Sequence, residues 1–252
     1  GTRISVTNCQ GQENTIYTKI QSLFGSPRDE NSLGEIIKKF SNACSNLATT
    51  ANSTLSRKEV IRSLDVVNQK LSSVSTSIQT LRQNSDASIS DAIQDINTQI
   101  QIVAGLNAQI ATNNYGGQPT GDLEDQRDTA VRIIASHMDI QVSQDSSGAI
   151  DLQTSQNISL ILPSVQLFSY SPTTSLNASS AYNVNPLLSS VNPITVVDPN
   201  GNVVDVTNQF TQGGIAAHIA MRDTILPNLQ QEIDRLATDF RDQVNAVHNL
   251  GT

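Results

Sequence analysis

The sequence predicts an α+β multidomain protein in which a long-helix, coiled-coil-like bundle carries an inserted, mainly β domain. Three observations predict it. From Ser56 to about Ala111 there is no proline, and the only glycine is Gly105. Over that stretch apolar residues recur every three or four positions: Val60, Leu64, Val67, Leu71, Val74, Ile78, Leu81, then Ile89, Ile93, Ile96, Ile100, Val103 and Ile110. That spacing is the seam of a helix lying against other helices, about 80 Å long at 1.5 Å per residue. From Asp139 the apolar period changes to two, and after Gly213-Gly214 it returns to helical spacing. The division this gives is a helical rod domain at 1–137 plus 212–252, and an inserted β domain at 138–211.

The elements follow in order. Thr15–Phe24 places Ile16, Ile20 and Leu23 on one helical face, and Gly25-Ser26-Pro27 ends that helix. Ser32-Leu33-Gly34-Glu35 is a capping box that starts a helix carrying Ile36, Ile37, Phe40, Ala43 and Leu47 inward. Ser56-Arg57-Lys58-Glu59 has the same form and is read as the start of the long helix. The seam slips in phase between Leu81 and Ile93, where Ser85 fills a seam position, as a stutter does in a coiled coil. Leu71 and Ile100 are expected to be buried.

Asn113 to Pro119 is a loop. Gly121-Asp122 opens another helix, with Leu123, Ala130, Ile133 and Ile134 apolar. The acids Asp122, Glu124 and Asp125 crowd its first turn, where the helix dipole favours them. Asp122 is read as its cap, and Arg127 as bonding nearby carboxylates or carbonyls. Strands are expected at Ile140–Gln144, Ala149–Gln153, Ile158–Leu162, Val165–Tyr170, Ile194–Val197 and Asn202–Val206. The last two are joined by an Asp198-Pro199-Asn200-Gly201 turn. A Ser/Thr/Asn-rich loop runs from Ser171 to Asn185. Ile215–Arg222 is a short helix. Pro227 either kinks it or sits in the first turn of a new one capped by Asp223 or Thr224. Leu229, Ile233, Leu236, Phe240, Val244 and Val247 form the last stripe.

Composition excludes several functions. Hydrophobic residues are 37%, aromatics 4% without tryptophan, and charged residues 15%, so the surface is built from Ser, Thr, Asn and Gln. The net charge is −8, with no basic run longer than Lys38-Lys39, so neither nucleic acid nor anionic lipid is an expected partner. No apolar run approaches the ~18 residues of a membrane span, and none reads as a signal peptide. Cys9 and Cys44 cannot define a disulfide framework or a metal site. They are read as unpaired residues on helices, with a bridge between them as the alternative.

No catalytic, cofactor-binding or metal residue is assigned, and no cofactor is expected. His137, His218 and His248 lie in no metal-ligand spacing. The Asp198–Asn202 turn lacks the twelfth-position glutamate of an EF-hand. No GxSxG, GxGxxG or P-loop occurs. The acidic string Gly121-Asp-Leu-Glu-Asp-Gln-Arg-Asp128 is explained by capping and by Arg127 without chemistry.

The order of parts resembles the flagellar hook-associated protein 1 family. That same string follows a long helix and a Gly116-Gly117-Gln118-Pro119 loop. Leu23-Phe24-Gly25, Ile96-Asn97, Leu106 through Ile110, Gly213-Gly214-Ile215, Met221 through Pro227 and Val244 through His248 are similar to that family in order. The resemblance implies a structural subunit between hook and filament, exported by the flagellar type III apparatus and located outside the cell on the flagellum. It implies as partners copies of itself in a ring or tube, hook protein, the second junction protein and an export chaperone. It also implies a middle fragment lacking the terminal segments, in which the pair of cysteines is unexpected. The alternatives are a coiled-coil type III translocator or effector, and a secreted hydrolase with a helical stalk.

Weakly charged, amide-rich faces bind one another weakly unless many are tethered together. In sedimentation velocity at micromolar concentration the chain is expected to run as a monomer. Its friction is expected to exceed that of a compact 27.1 kDa sphere. A stable oligomer or a compact monomer would contradict this reading.

Overall fold

The computed structural model describes residues 2–4, 18, 20–25, 29–198 and 201–250, with 2–4 and 247–250 described by backbone alone. The helices are α1 (Leu33–Thr49), α2 (Thr54–Tyr115), α3 (Gly121–His137), α4 (Gly213–Ala220) and α5 (Leu226–Leu250). The strands are β1 (Thr2–Ile4), β2 (Ile140–Gln144), β3 (Ile150–Gln153), β4 (Phe168–Ser169), β5 (Thr195–Val197) and β6 (Val203–Asp205). They form two antiparallel three-stranded sheets, β1-β2-β3 and β4-β5-β6. Residues 20–24 are helical; Thr15, Ile16 and Pro27 lie outside the described residues.

α2 is one unbroken helix of 62 residues. Most of its seam is buried as the spacing requires: Val67, Ile78, Ile89, Ile96, Ile100, Val103 and Ile110 have no exposed surface and Leu71 has 7%, while Val60, Leu64 and Leu81 are half-buried. The helix starts earlier than the sequence reading placed it. Ser53 is the cap, its Oγ accepting from the Ser56 amide at 3.2 Å, so the Ser56–Glu59 box lies inside the first turns. At α1 the expected cap is in place: Ser32 Oγ accepts from Glu35 N at 3.3 Å. The reciprocal half is absent, because Asp29 O takes the Ser32 amide and Glu35 pairs with Lys38.

By packing, the chain divides into two compact units. One holds β1 and Arg82–Thr224, the other the described residues from 18 to Leu81 and those from Ile225 onward. In the first unit the second half of α2, α3, both sheets and α4 share one core. Ile89, Ile93, Ile96 and Ile100 meet Val131 and Ile134, then Ile140, Leu152, Leu160, Phe168, Val196 and Ile215. Phe168 and Phe210 meet edge to face at 5.7 Å. In the second unit Phe40 and Phe240 do the same at 5.1 Å. There the side chain of buried Gln230 exchanges hydrogen bonds with Ser75 and Gln79 of α2.

The β2–β3 and β5–β6 hairpins form where alternation predicts them. Ile158–Leu162 is not a strand: one isolated bridge joins Gln153 to Ser159, and Leu160 and Ile161 enter the core from a loop. Only these two residues of the run are buried, while Leu162 is exposed, so two neighbouring side chains plug the core without a ladder. The expected Val165–Tyr170 strand shortens to Phe168–Ser169.

Gly213 marks a close backbone approach. It holds φ +85°, and a Cβ there would stand 2.5 Å from His137 O. Between α4 and α5 the chain makes one wide π turn, Met221–Ile225. Pro227 follows as the second residue of α5, and a wider turn before a proline relieves the clash of its ring with the carbonyl four residues back. Neither Asp223 nor Thr224 caps a separate helix.

Leu71→Ala removes a packed side chain from a seam position and is expected to cost ~2–5 kcal/mol. Denaturant midpoints measure it. A shift no larger than that of a surface Ser→Ala would remove Leu71 from the core.

Candidate functional site: a buried ionic junction and the amide clamps

Five side chains meet where the seam of α2 slips in phase. Arg82, Asp86 and Arg222 are fully buried. Arg222 donates through Nη1 to Asp86 Oδ1 at 2.8 Å and to Tyr170 Oη at 2.6 Å. Its Nε and Nη2 grip the Asp223 carboxylate at 2.9 and 2.7 Å, the two-pronged geometry that suits guanidinium. Asp86 also accepts from the Tyr170 hydroxyl, and from the Thr173 amide at 2.6 Å. Arg82 donates to three backbone carbonyls: Arg222 at 2.9 Å, Asn177 at 2.6 Å and Ser180 at 2.7 Å.

Each charge is answered twice over. Burial alone would lower the Arg222 guanidinium. The Asp223 bonds and charge, with Tyr170 and Asp86, outweigh it and hold that group above its ordinary value. Burial lowers Arg82. Burial also pushes the Tyr170 hydroxyl well above the ordinary phenol value; the Arg222 charge opposes that and Asp86 adds to it. The phenol therefore stays a donor to the Asp86 carboxylate. The five side chains are bound to one another and to backbone, so the arrangement locks α2 and the π turn to the loop after β4.

Farther along, polar side chains of α2 hold the β region by its backbone. Gln83 takes the Leu176 amide at 3.1 Å and gives to Thr173 O at 2.8 Å. Asn97 takes the Phe168 amide at 2.9 Å and gives to its carbonyl at 2.8 Å. Asn107 does the same for Ile150, at 3.1 and 2.7 Å. A side-chain amide presents a donor and an acceptor side by side, as a neighbouring strand would. The Asn97 and Asn107 clamps stand in for ladder bonds at β4 and β3, and the Gln83 clamp holds the loop after β4 against the helix.

Arg127 is buried on the inward face of α3, in line with Leu123, Ala130 and Ile134. It bonds a carbonyl, Gly148 O at 2.7 Å, and reaches Asn107 Oδ1 at 3.4 Å. It does not pair with the acids of its own string. Asp122 is not the cap expected of it. Thr120 holds that position, its hydroxyl bonding Glu124 Oε1 at 2.9 Å, and Asp122 stands exposed in the first turn.

His137 pairs with Asp95 at 2.9 Å and shares a shallow cavity of about 340 Å³ with Asp91 and His218. Among the described residues no three His, Cys, Asp or Glu side chains stand where they could hold a metal ion. The His248 side chain lies outside them. The Asp198 carboxylate is spent on the Asn202 amide and side chain at 2.8 and 3.0 Å, closing its hairpin. Cys44 is a free thiol, raised by burial; Cys9 lies outside the described residues. Among the described residues no helix is long and apolar enough to cross a membrane.

A helix whose polar side chains are occupied in holding a β region in register defines a structural frame. The family model for the flagellar hook-associated protein FlgK helical domain matches residues 17–252, and the chain belongs to that family. Flagellar hook-associated protein 1 of Bacillus subtilis (strain 168) is 23% identical over 236 residues, 88% of this chain and 46% of that protein. The flagellar hook junction protein FlgK from Burkholderia pseudomallei has the same fold, with a TM-score of 0.72 at 23% identity over 94% of this chain and 42% of that one. The chain thus spans less than half the length of either.

Removing one partner of a buried ion pair strands the other. Arg222→Met is expected to cost ~3–5 kcal/mol. Asp86→Leu in the same chain is expected to restore part of it, read as denaturation midpoints of the single and double variants. Full additivity would mean the two do not act as a pair.

Tyr170 sets an alkaline limit. Its folded value lies above the unfolded value of about 10. Above that pH the unfolded chain sheds a proton that the folded chain keeps, so stability falls as pH rises. Tyr170→Phe is expected to flatten that fall between pH ~9 and ~11. An unchanged slope would separate the hydroxyl from the loss.

Proposed function

We propose that this chain is part of a structural subunit of the bacterial flagellum that joins hook to filament. The family match running in order through residues 17–252 carries the reading. The geometry supports it, since Arg82, Asp86, Arg222, Asn97 and Asn107 hold backbone or one another and tie α2 to the β region. The chain is not an enzyme on this reading. It reaches its place through the flagellar type III apparatus with an export chaperone, and works outside the cell. Its partners are copies of itself in a ring or tube, hook protein and the second junction protein. Residues 138–211 serve as a β module inserted in the helical frame formed by 1–137 and 212–252.

An antibody against this chain, applied to intact flagella of the source bacterium, is expected to mark one band between hook and filament in electron micrographs. Label along the whole filament, or on the cell body alone, overturns the reading.

A further inference from the structure

Three exposed apolar side chains of the β-rich unit cluster on one loop tip, where Val184, Leu187 and Leu188 are 65%, 92% and 68% exposed. The tip is built, not slack. Asn185 Oδ1 takes the Leu187 amide at 3.1 Å and Asn185 O the Leu188 amide at 2.9 Å. Ser189 Oγ takes the Asn183 amide at 3.1 Å, and Ser190 bonds Ala181 through both backbone and side chain. The loop is anchored from below by Arg82 on the Asn177 and Ser180 carbonyls and by Gln83 on Leu176. A tip whose backbone is already hydrogen-bonded can leave water with little polar cost.

The helical unit carries a complementary feature. Phe40, Cys44, Leu47, Val60, Leu64 and Val244 line an open groove of about 660 Å³ with no charged residue in its wall. That volume has room for the two leucines of such a tip.

Charge identifies the occupant. The chain carries −8 overall, so two copies repel across most faces. Yet every residue from Leu152 to Val197 is uncharged, and so is the groove. Copies that meet tip to groove bring together the two surfaces that carry none of that repulsion. We propose that Leu187 and Leu188 of one copy seat in the Phe40–Leu64 groove of a second copy. Tip and groove differ, so the contact is head to tail and repeats into a ring or a helical array. Two leucines bury far less than the ~1,200 Å² of a stable interface, so the contact forms at high concentration or among tethered subunits. The inference rests on the chain packing against its own copies, and it names the surfaces.

Cys44 lies in the groove wall and reports on it directly. In a Cys9→Ser background, Leu187→Cys is oxidised with copper–phenanthroline at high protein concentration. The expected product on non-reducing gels is a ladder of dimers, trimers and higher species. It is expected to collapse to dimers at most when Cys44→Ser is added, and to exceed several-fold the yield from Ser147→Cys, a control on another exposed turn. Sedimentation at rising concentration gives a second reading. The weight-average coefficient of the Leu187→Ser, Leu188→Ser double variant is expected to lose the rise shown by the unaltered chain. Three results overturn the proposal: tip-to-tip dimers alone, a bond inside one monomer between Cys44 and the introduced thiol, or no cross-linking above the control. Each leaves the flagellar reading intact with packing through other faces, whereas failure of the antibody label would remove that reading and leave a ladder standing.

Discussion

Arg82, Asp86 and Arg222 have lost all contact with water, and such charges persist in a fold only when every one is answered. The answer here is shared. Asp86 reaches Arg222, Tyr170 and the Thr173 amide; Arg222 reaches Asp223; Arg82 reaches three carbonyls. These groups come from α2, from the loop after β4 and from the π turn after α4. Burying them fixes the three segments together at one point. The clamps at Gln83, Asn97 and Asn107 extend that point along α2, holding the loop after β4, β4 and β3 against the same helix.

This explains how so thin a hydrophobic core can hold two small sheets. β4 has two paired residues and β5 and β6 three each, too few for a ladder to define register by itself. Side-chain amides from a rigid helix supply the missing pairing partners. Gly213 adds a fixed approach at the other end of the region, bringing the start of α4 against the last carbonyls of α3. The fold is therefore organised from α2 outward, with the β segments hung on it.

Much of the helical part was legible in the sequence, because burial leaves a periodic trace. The seam from Val67 to Ile110, the helix after Ser32 and the two hairpins stand where spacing put them. The start of α2 was misplaced by three residues because Ser53 and Ser56 are equal as letters, and only geometry shows which hydroxyl meets an amide. Asp122 was misread for another reason: Thr120 takes the cap position by its backbone, and its hydroxyl donates to Glu124 instead of accepting from an amide. The ionic junction was missed although its signal was present: the phase slip between Leu81 and Ile93. Arg82 and Asp86 stand inward at 4, 7, 8 and 11 residues' distance from Ile78 with Ser85 and Ile89, but a charged letter reads as surface by default. Arg127 was read as bonding nearby carboxylates or carbonyls and does bond the Gly148 carbonyl; what the letters hid was its burial, in line with Leu123, Ala130 and Ile134. A charge falling on an apolar stripe was the cue, and its partners, loop carbonyls far away in sequence, leave no trace in a linear reading.

The uncharged stretch from Leu152 to Val197 bears on where such a molecule can work. Ionic strength acts on contacts through the charges they carry, with a screening length near 10 Å at 0.1 M salt. A surface without charges offers screening nothing to weaken. Salt therefore reaches the contacts this part of the chain makes only from a distance, through the charge of −8 carried by the rest of the molecule.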